Sequence, residues 1–175
     1  TTMEKPKSFS PDNIRIEKIK LLKSIRPIPI DKIDKYAFRA QYKSGNIEKE
    51  GHVKGYLEEL ENDKSVVETY AAIKLFIDNP RWKNIPIYLR TAKRLNQSGT
   101  FISIKFKNNQ DNKKLANNWM VFSIQPKEST YFEIQTKVPG LNEVDLRTTR
   151  LEGINRLDQD EKIDAYETLM LDLLE

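Results

Sequence analysis

The sequence predicts an α+β fold, an antiparallel β-sheet meander with helices packed on one face, and three observations predict it. Several segments in the second half of the chain alternate apolar and polar residues with a period of two, as half-buried strands do. Polar links join these segments, which favours antiparallel neighbours. Segments near the beginning, the middle and the end instead repeat apolar residues at helical spacing, so each is expected to bury one face.

The first helix is expected to begin after Ser10, because a serine followed by a proline at the first helical position is a common start signal. Residues 36–42 then alternate and predict a strand, and the polar, glycine-bearing residues 43–63 predict a functional or mobile loop. The stripe that the helix should bury consists of Ile14, Ile19, Leu22 and Ile25.

A second helix is predicted in the middle of the chain, from Ser65 to the residue before Pro80. Ser65 and Glu68 have the spacing of a capping box, and apolar residues follow at helical spacing. Pro80 lacks the backbone donor that a helix needs, so it should end the helix. Residues 85–89 then predict a strand.

The meander and a final helix complete the predicted fold. The helix should start at Asp158 and run through the apolar residues Ala165, Tyr166, Leu169, Met170 and Leu173. The predicted strands of the meander are residues 101–107, 119–125, 130–138 and 143–151.

Composition limits the class of protein. The 175 residues suit a single domain with a real core, and 30 basic against 26 acidic residues are too balanced for a dedicated nucleic-acid binder. The absence of cysteine suits a reducing compartment, and neither a signal peptide nor a long apolar run is present, so a cytoplasmic protein without a membrane span is predicted. His52, the single histidine, lies in the polar loop, where a solvated role is favoured over a catalytic or metal-binding one.

The order of residues 68–95 resembles the second domain of the glucose-6-phosphate dehydrogenase family. The stretch ETYAAIKLFIDNPRWKNIPIYLRTAKRL follows the family patterns T-(F/Y)-A-A, (I/V)-(D/E)-N-x-R-W and P-(F/I)-Y-L-R-(T/C)-G-K, although Ala92 stands where the family usually has glycine. Residues 17–22, 39–42, 55–59, 124–126 and 136–140 add further matches, so the resemblance covers almost the whole chain.

The resemblance implies that residues 1–175 are one C-terminal domain, the substrate and dimerisation domain of such an enzyme. It implies oxidation of glucose-6-phosphate to 6-phosphogluconolactone with NADP in the pentose phosphate pathway of glucose metabolism. In the family a separate amino-terminal Rossmann domain binds NADP and carries the catalytic histidine in an RIDHYLGKE segment, and this sequence contains no such segment. Residues 1–9 would then be the join between the domains, and the chain is expected to be truncated at its end and inactive alone.

Substrate-binding residues are carried over position by position, and no catalytic, cofactor-binding or metal-binding residue is assigned. Lys93 matches the family lysine that reaches the substrate, whereas by its local sequence alone it would be a solvated surface lysine. Gln125 matches a glutamine beside the substrate, and Arg90 lies at the end of the same predicted strand as Lys93. Ser98 stands where the family usually has a second lysine or arginine, so that contact is lost or Arg94 replaces it.

Two other classes of function stay open. Four lysines near Phe101 and Phe106 would suit a nucleic-acid-binding sheet, but Phe106 shares the apolar face of its strand and is expected in the core. The second is a non-catalytic interaction module. Trp119, Val121 and Tyr131 are expected on the open face of the sheet, which predicts a homodimer, or a tetramer, through that face.

Overall fold

The structure, a computed structural model, describes residues 2–48, 50–60, 64–96, 98–108, 116–139 and 145–154. The chain divides into two compact units, Thr1–Asn96 and Gln97–Glu175. We call them unit 1 and unit 2 and describe each by itself.

Unit 1 contains a three-stranded antiparallel sheet and a separate two-stranded hairpin. The sheet has the order β1-β4-β5, and β2 pairs with β3. A 3-10 helix, Ile30–Lys35, precedes β1. The helices and strands are α1 (Pro11–Lys23), β1 (Ala37–Ala40), β2 (Gly45–Ile47), β3 (Gly51–Val53), α2 (Tyr56–Glu59), β4 (Tyr70–Leu75) and β5 (Ile87–Ala92).

The predicted start of α1 is confirmed, but the predicted burial of its apolar stripe is wrong. The Ser10 hydroxyl accepts a hydrogen bond from the backbone N–H of Asn13 at 3.5 Å. Ile19 and Leu22 are exposed, Leu22 by 63%, while Ile14 and Ile25 are half-buried. The end of the helix is tied to the rest of unit 1, because the Asp78 backbone N–H donates to the Ser24 carbonyl at 2.8 Å.

The helix predicted from Ser65 is wrong, because this stretch forms the central strand β4. Ser65 does not begin a helix, and its carbonyl instead accepts a hydrogen bond from the Gln41 amide at 2.8 Å. β4 exchanges backbone hydrogen bonds with β1 on one side and β5 on the other, which a helix there would forfeit. The composition agrees with a strand, since β-branched and aromatic residues favour extended backbone: Val66, Val67, Thr69, Tyr70, Ile73.

The strand predicted over residues 85–89 is confirmed as β5, and the strand over residues 36–42 is confirmed as β1. The polar segment 43–63 is more ordered than a plain loop, because it holds β2, β3 and α2. A close approach of two backbone segments explains why glycine occupies position 55 at the start of α2. A Cβ atom there would lie 2.8 Å from the backbone nitrogen of Ser44, so a larger residue would push α2 away.

Unit 2 contains the predicted meander, a four-stranded antiparallel sheet in the order β6-β7-β8-β9. Its strands are β6 (Thr100–Lys105), β7 (Trp119–Gln125), β8 (Ser129–Lys137) and β9 (Leu146–Ile154). β7 has the predicted bounds. The helix predicted from Asp158 lies outside the described residues. The fold is therefore α+β and built on antiparallel sheets, as predicted.

The exposure of side chains on the two faces of this sheet differs from the expectation. Val121, expected on an open face, is only 6% exposed and lies between Ser103 and Tyr131 in the register. The guanidinium of Arg150 lies 3.6 Å from the centre of the Tyr131 ring. Phe106, expected in the core, is 44% exposed. Within the described part of unit 2, both faces thus carry exposed apolar residues, Phe101 on the face of Val121 and Leu151 on the other.

Candidate functional site

The end of β5 presents two of the predicted substrate residues in unit 1. Arg90 lies opposite Ala72 of β4, and Lys93 follows the last residue of the strand. The Lys93 backbone N–H donates to the carbonyl of Thr69 at 2.9 Å, which extends the pairing of β4 and β5 by one residue. Both side chains are exposed, and among the described residues neither forms an ion pair. Two exposed basic residues thus lie near one strand end.

The absence of glycine at Ala92 causes no strain. Ala92 is paired with Tyr70 inside β5, and the non-glycine residues with positive φ in the described chain are Asn84 and Arg94. The left-handed backbone falls at Arg94, with φ of 56°, one residue after Lys93. Such a conformation costs a residue other than glycine about 1–3 kcal/mol and persists where the surroundings hold it.

Arg94 is held by two carboxylates. Its guanidinium lies 2.9 Å from Glu50 and 2.7 Å from Glu59, and the Tyr42 hydroxyl donates to Glu59 at 2.6 Å. The hydrogen bond from Tyr42, with the charge of Arg94 beside it, lowers the pKa of Glu59, while the same bond raises the pKa of Tyr42. Arg94 therefore does not offer the free cation that would replace a basic residue at position 98.

Thr69 links this cluster to Lys93. Its side chain is buried, with 7% exposure, and its hydroxyl accepts from the backbone N–H of Tyr42 at 2.9 Å. Its carbonyl accepts from the Lys93 backbone, and its N–H donates to the carbonyl of Ala40 at 2.9 Å. One buried threonine thus connects the end of β1 and the residues just after it to the end of β5.

The remaining two predicted residues, Ser98 and Gln125, lie at one end of the sheet in unit 2. Gln125 ends β7 opposite Thr100, the first residue of β6, and Ser98 precedes that strand by two positions. The backbones approach closely, since a Cβ atom on Gly99 would lie 3.0 Å from the carbonyl oxygen of Gln125. Both side chains are exposed. The structure thus brings the four predicted residues together as two pairs, one in each unit.

The motif from Asp78 to Trp82 holds other parts of unit 1 and contacts no predicted substrate residue among the described ones. Asp78 accepts two hydrogen bonds from the Arg26 guanidinium, and the Trp82 ring nitrogen donates to the carbonyl of Thr2 at 2.9 Å. Arg81 pairs with Glu4. The motif therefore anchors residues 2–4 and the segment after α1.

Other candidate chemistry is limited in the described part of the chain. His52 is exposed, with Nδ1 at 3.3 Å from the Asn46 side-chain oxygen, and no group of metal-ligating residues occurs among the described residues. An open groove along β1, lined by Phe38, Arg39 and Glu68 among others, contains none of the four predicted residues. No helix within the described ranges is long and apolar enough to span a bilayer.

A dinucleotide site does not fit the described residues. A Rossmann-type pyrophosphate site needs a glycine-rich turn between a strand and a helix. α1 follows Ser10 rather than a strand, and α2 has only four residues. The fold is instead that of an α+β domain with two exposed basic residues at the end of β5.

The chain belongs to the glucose-6-phosphate dehydrogenase family. The family description "Glucose-6-phosphate dehydrogenase, C-terminal domain" matches residues 1–175. The chain is similar to glucose-6-phosphate 1-dehydrogenase of Buchnera aphidicola, with 36% identity over 99% of this chain and 37% of the relative. The same enzyme of Gluconobacter oxydans is 38% identical over 97% of this chain and 35% of its own length. The chain thus spans little more than a third of these relatives.

Solved structures agree with this membership. A glucose-6-phosphate dehydrogenase in complex with its substrate glucose-6-phosphate superposes with a TM-score of 0.75 and 34% identity over 99% of this chain and 35% of that chain. The enzyme from Mycobacterium avium, at 22% identity and a TM-score of 0.70 over 96% of this chain and 34% of that chain, shows the fold alone.

The site also contains residues that the sequence did not indicate as a group. Tyr42, Glu50, Glu59 and Arg94 form the cluster beside Lys93. Tyr42 and Glu59 belong to stretches that match family motifs, which singles them out in the sequence but does not indicate that they contact each other. Glu50 carried no signal in the sequence.

Proposed function

We propose that this chain is the substrate-binding C-terminal domain of an NADP-dependent glucose-6-phosphate dehydrogenase, which oxidises glucose-6-phosphate to 6-phosphogluconolactone. The observation that carries the proposal is Lys93. It is an exposed lysine without an ion-pair partner among the described residues, at the end of β5 and at the position that the resemblance assigns to the family's substrate lysine.

The chemistry of the substrate suits these side chains. A sugar phosphate is rich in oxyanion and hydroxyl acceptors, and an ammonium donates up to three hydrogen bonds to them as a compact charge. Lys93 would bind the substrate, with Arg90 adding positive potential from the same strand end. The Gln125 amide and the Ser98 hydroxyl stay predicted substrate contacts that rest on the family resemblance.

The chemical step itself needs groups that we assign to another domain of the full-length protein. Hydride removal from the sugar requires a base for the hydroxyl proton, oriented by a third group, and His52 is an exposed histidine whose ring contacts the Asn46 side chain. We therefore place the base and NADP in an amino-terminal domain, joined through residues 1–9 to the single domain formed by residues 1–175. The protein would act in the cytoplasm, in the pentose phosphate pathway.

We also propose that the full-length protein is a homodimer, or a tetramer built from dimers, through the sheet of unit 2. Trp119 and Tyr131 are half-buried on the face that carries Lys105 and Arg150, and aromatic residues with nearby cations are common at protein interfaces. Sedimentation of the full-length protein should give at least a dimer, and replacing Tyr131 with glutamate should yield monomers. A wild-type monomer at micromolar concentration would contradict this assembly.

The substrate proposal is tested by the full-length protein that contains this chain. NADPH should form from NADP with glucose-6-phosphate, and glucose without the phosphate should be a far poorer substrate because it lacks the anion. Equal rates with glucose and glucose-6-phosphate would contradict a site built on cations.

A further inference from the structure

The residues from Tyr42 to Arg94 close a ring of contacts around the end of β5. Lys93 donates to the Thr69 carbonyl, and the Thr69 hydroxyl accepts from the Tyr42 backbone. The Tyr42 hydroxyl donates to Glu59, and Glu59 pairs with Arg94, the residue after Lys93. The ring thus begins and ends at neighbouring residues, and each of its links lies inside unit 1.

We propose that Arg94 is a positioning residue for substrate binding. It directs the Lys93 ammonium towards the sugar phosphate and keeps the ammonium from pairing with the nearby carboxylates. The inference rests on the proposed function of Lys93. It assigns to Arg94 a role that requires no contact with the substrate.

The first part of this role is geometric. Arg94 has a left-handed backbone with φ of 56°, and its side chain joins the turn after β2, through Glu50, to the end of α2, through Glu59. A residue that is not glycine adopts this conformation where its surroundings impose it. The two ion pairs therefore fix the direction in which the chain leaves β5, and with it the direction of the Lys93 side chain.

The second part is electrostatic. Glu50 and Glu59 place two negative charges around the residue that follows Lys93. Without Arg94 these carboxylates would repel a phosphate and would compete for the Lys93 ammonium. The fork of a guanidinium can engage both carboxylates at once, whereas the single ammonium of a lysine holds this geometry poorly. The arrangement accounts for an arginine at position 94 that is engaged while Lys93 is not.

Three variants of the full-length protein separate the geometric part of the role of Arg94 from the electrostatic part. Arg94→Met removes charge and geometry, Arg94→Lys restores the charge without the fork, and Tyr42→Phe removes the hydrogen bond to Glu59 without changing any charge. The KM for glucose-6-phosphate should rise by about five- to twentyfold in Arg94→Met, less in Arg94→Lys and least in Tyr42→Phe. The kcat should change little in each case, because the chemical groups are elsewhere.

Arg39→Met is the matched control. Arg39 is an exposed arginine of unit 1 with one carboxylate partner, Glu68, at 3.7 Å. Its loss should leave the KM unchanged. Melting temperatures of all variants identify those that fold poorly. Tyr42→Phe keeps the aromatic side chain that packs edge-to-face on Tyr56, so this variant should fold. It therefore tests the contacts between Tyr42 and Arg94 even if Arg94→Met is unstable.

A double-mutant cycle with Lys93→Ala decides whether Arg94 acts through Lys93. In the Lys93→Ala background, Arg94→Met should raise the KM much less than it does in the wild type, because there is no ammonium left to position. Additive effects, or an unchanged KM in all three single variants, would overturn the proposal. If Lys93→Ala itself leaves the KM unchanged, it is the proposed function of Lys93 that fails.

Discussion

Replacing Lys93 with alanine in the full-length protein should weaken the binding of glucose-6-phosphate and leave the binding of NADP almost unchanged. The substitution removes an exposed ammonium whose backbone is held by Thr69, so the strand end should keep its structure. NADP is expected to bind elsewhere, because we assign the coenzyme to an amino-terminal domain.

The magnitude follows from the environment of the ammonium. A hydrogen bond to a charged group contributes about 1.5–3 kcal/mol, and each 1.4 kcal/mol is roughly a factor of ten in affinity. We therefore expect the KM for glucose-6-phosphate to rise about ten- to a hundredfold. If Lys93 stayed fully solvated in the complex, a charge pair at about 4 Å in water would contribute only about 1 kcal/mol, or roughly fivefold. The size of the effect thus indicates whether substrate covers the lysine.

Steady-state kinetics with varied glucose-6-phosphate, together with direct titration of NADP, measure both parts of this expectation. Lys93→Arg should restore little, because a planar guanidinium does not reproduce a compact ammonium in a fitted site. Lys18→Ala, which removes an exposed lysine of α1, is the control and should have no effect. A wild-type KM in Lys93→Ala would refute the reasoning and leave Lys93 as a solvated surface residue.

Two further predictions concern the chain and its α2 turn. The purified 175-residue chain should not reduce NADP with glucose-6-phosphate, because base and coenzyme site are assigned to another domain; turnover that persists after removal of full-length enzyme would contradict this. Gly55→Ala should destabilise unit 1 by about 1–3 kcal/mol, because the new Cβ meets the Ser44 backbone at 2.8 Å. Thermal unfolding measures the loss, and Gly45→Ala, with open space around it, is the control that should change little.

The strands of unit 2 could be predicted because their signal is local. β7 places the apolar residues Met120, Phe122 and Ile124 at every second position, and its observed bounds, Trp119–Gln125, are the predicted ones. How open each face is could not be predicted in the same way. The exposure of Val121 depends on Ser103 and Tyr131, its neighbours in the register, and periodicity within one strand says nothing about them.

The central helix was wrongly predicted because two local signals agreed by coincidence. Ser65 and Glu68 have the spacing of a capping box, and the apolar residues after them fit a helical period as well as a buried strand. All six residues of β4 are half-buried, so both of its faces are partly covered and strict alternation is absent. Pairing with β1 and β5, which lie elsewhere in the sequence, outweighs the local preference.

The candidate site was predictable only where the family resemblance reached it. Lys93 is in its predicted place at the end of β5, and a resemblance in sequence order sufficed for that. The contacts of Arg94 with Glu50 and Glu59 join residues 44 and 35 positions apart. No period or motif spacing encodes such contacts, so the suggestion that Arg94 offers a free cation could be corrected only by the structure.

The contact between Lys93 and the sugar phosphate can be tested most directly by lysine-selective reductive methylation of the full-length protein, read by mass spectrometry. Glucose-6-phosphate at saturating concentration should slow the modification of Lys93 and leave that of Lys18, an exposed lysine on α1, unchanged. Glucose without the phosphate should protect Lys93 far less. Modification of Lys93 at the same rate with and without glucose-6-phosphate would contradict the assignment of Lys93 to the substrate site.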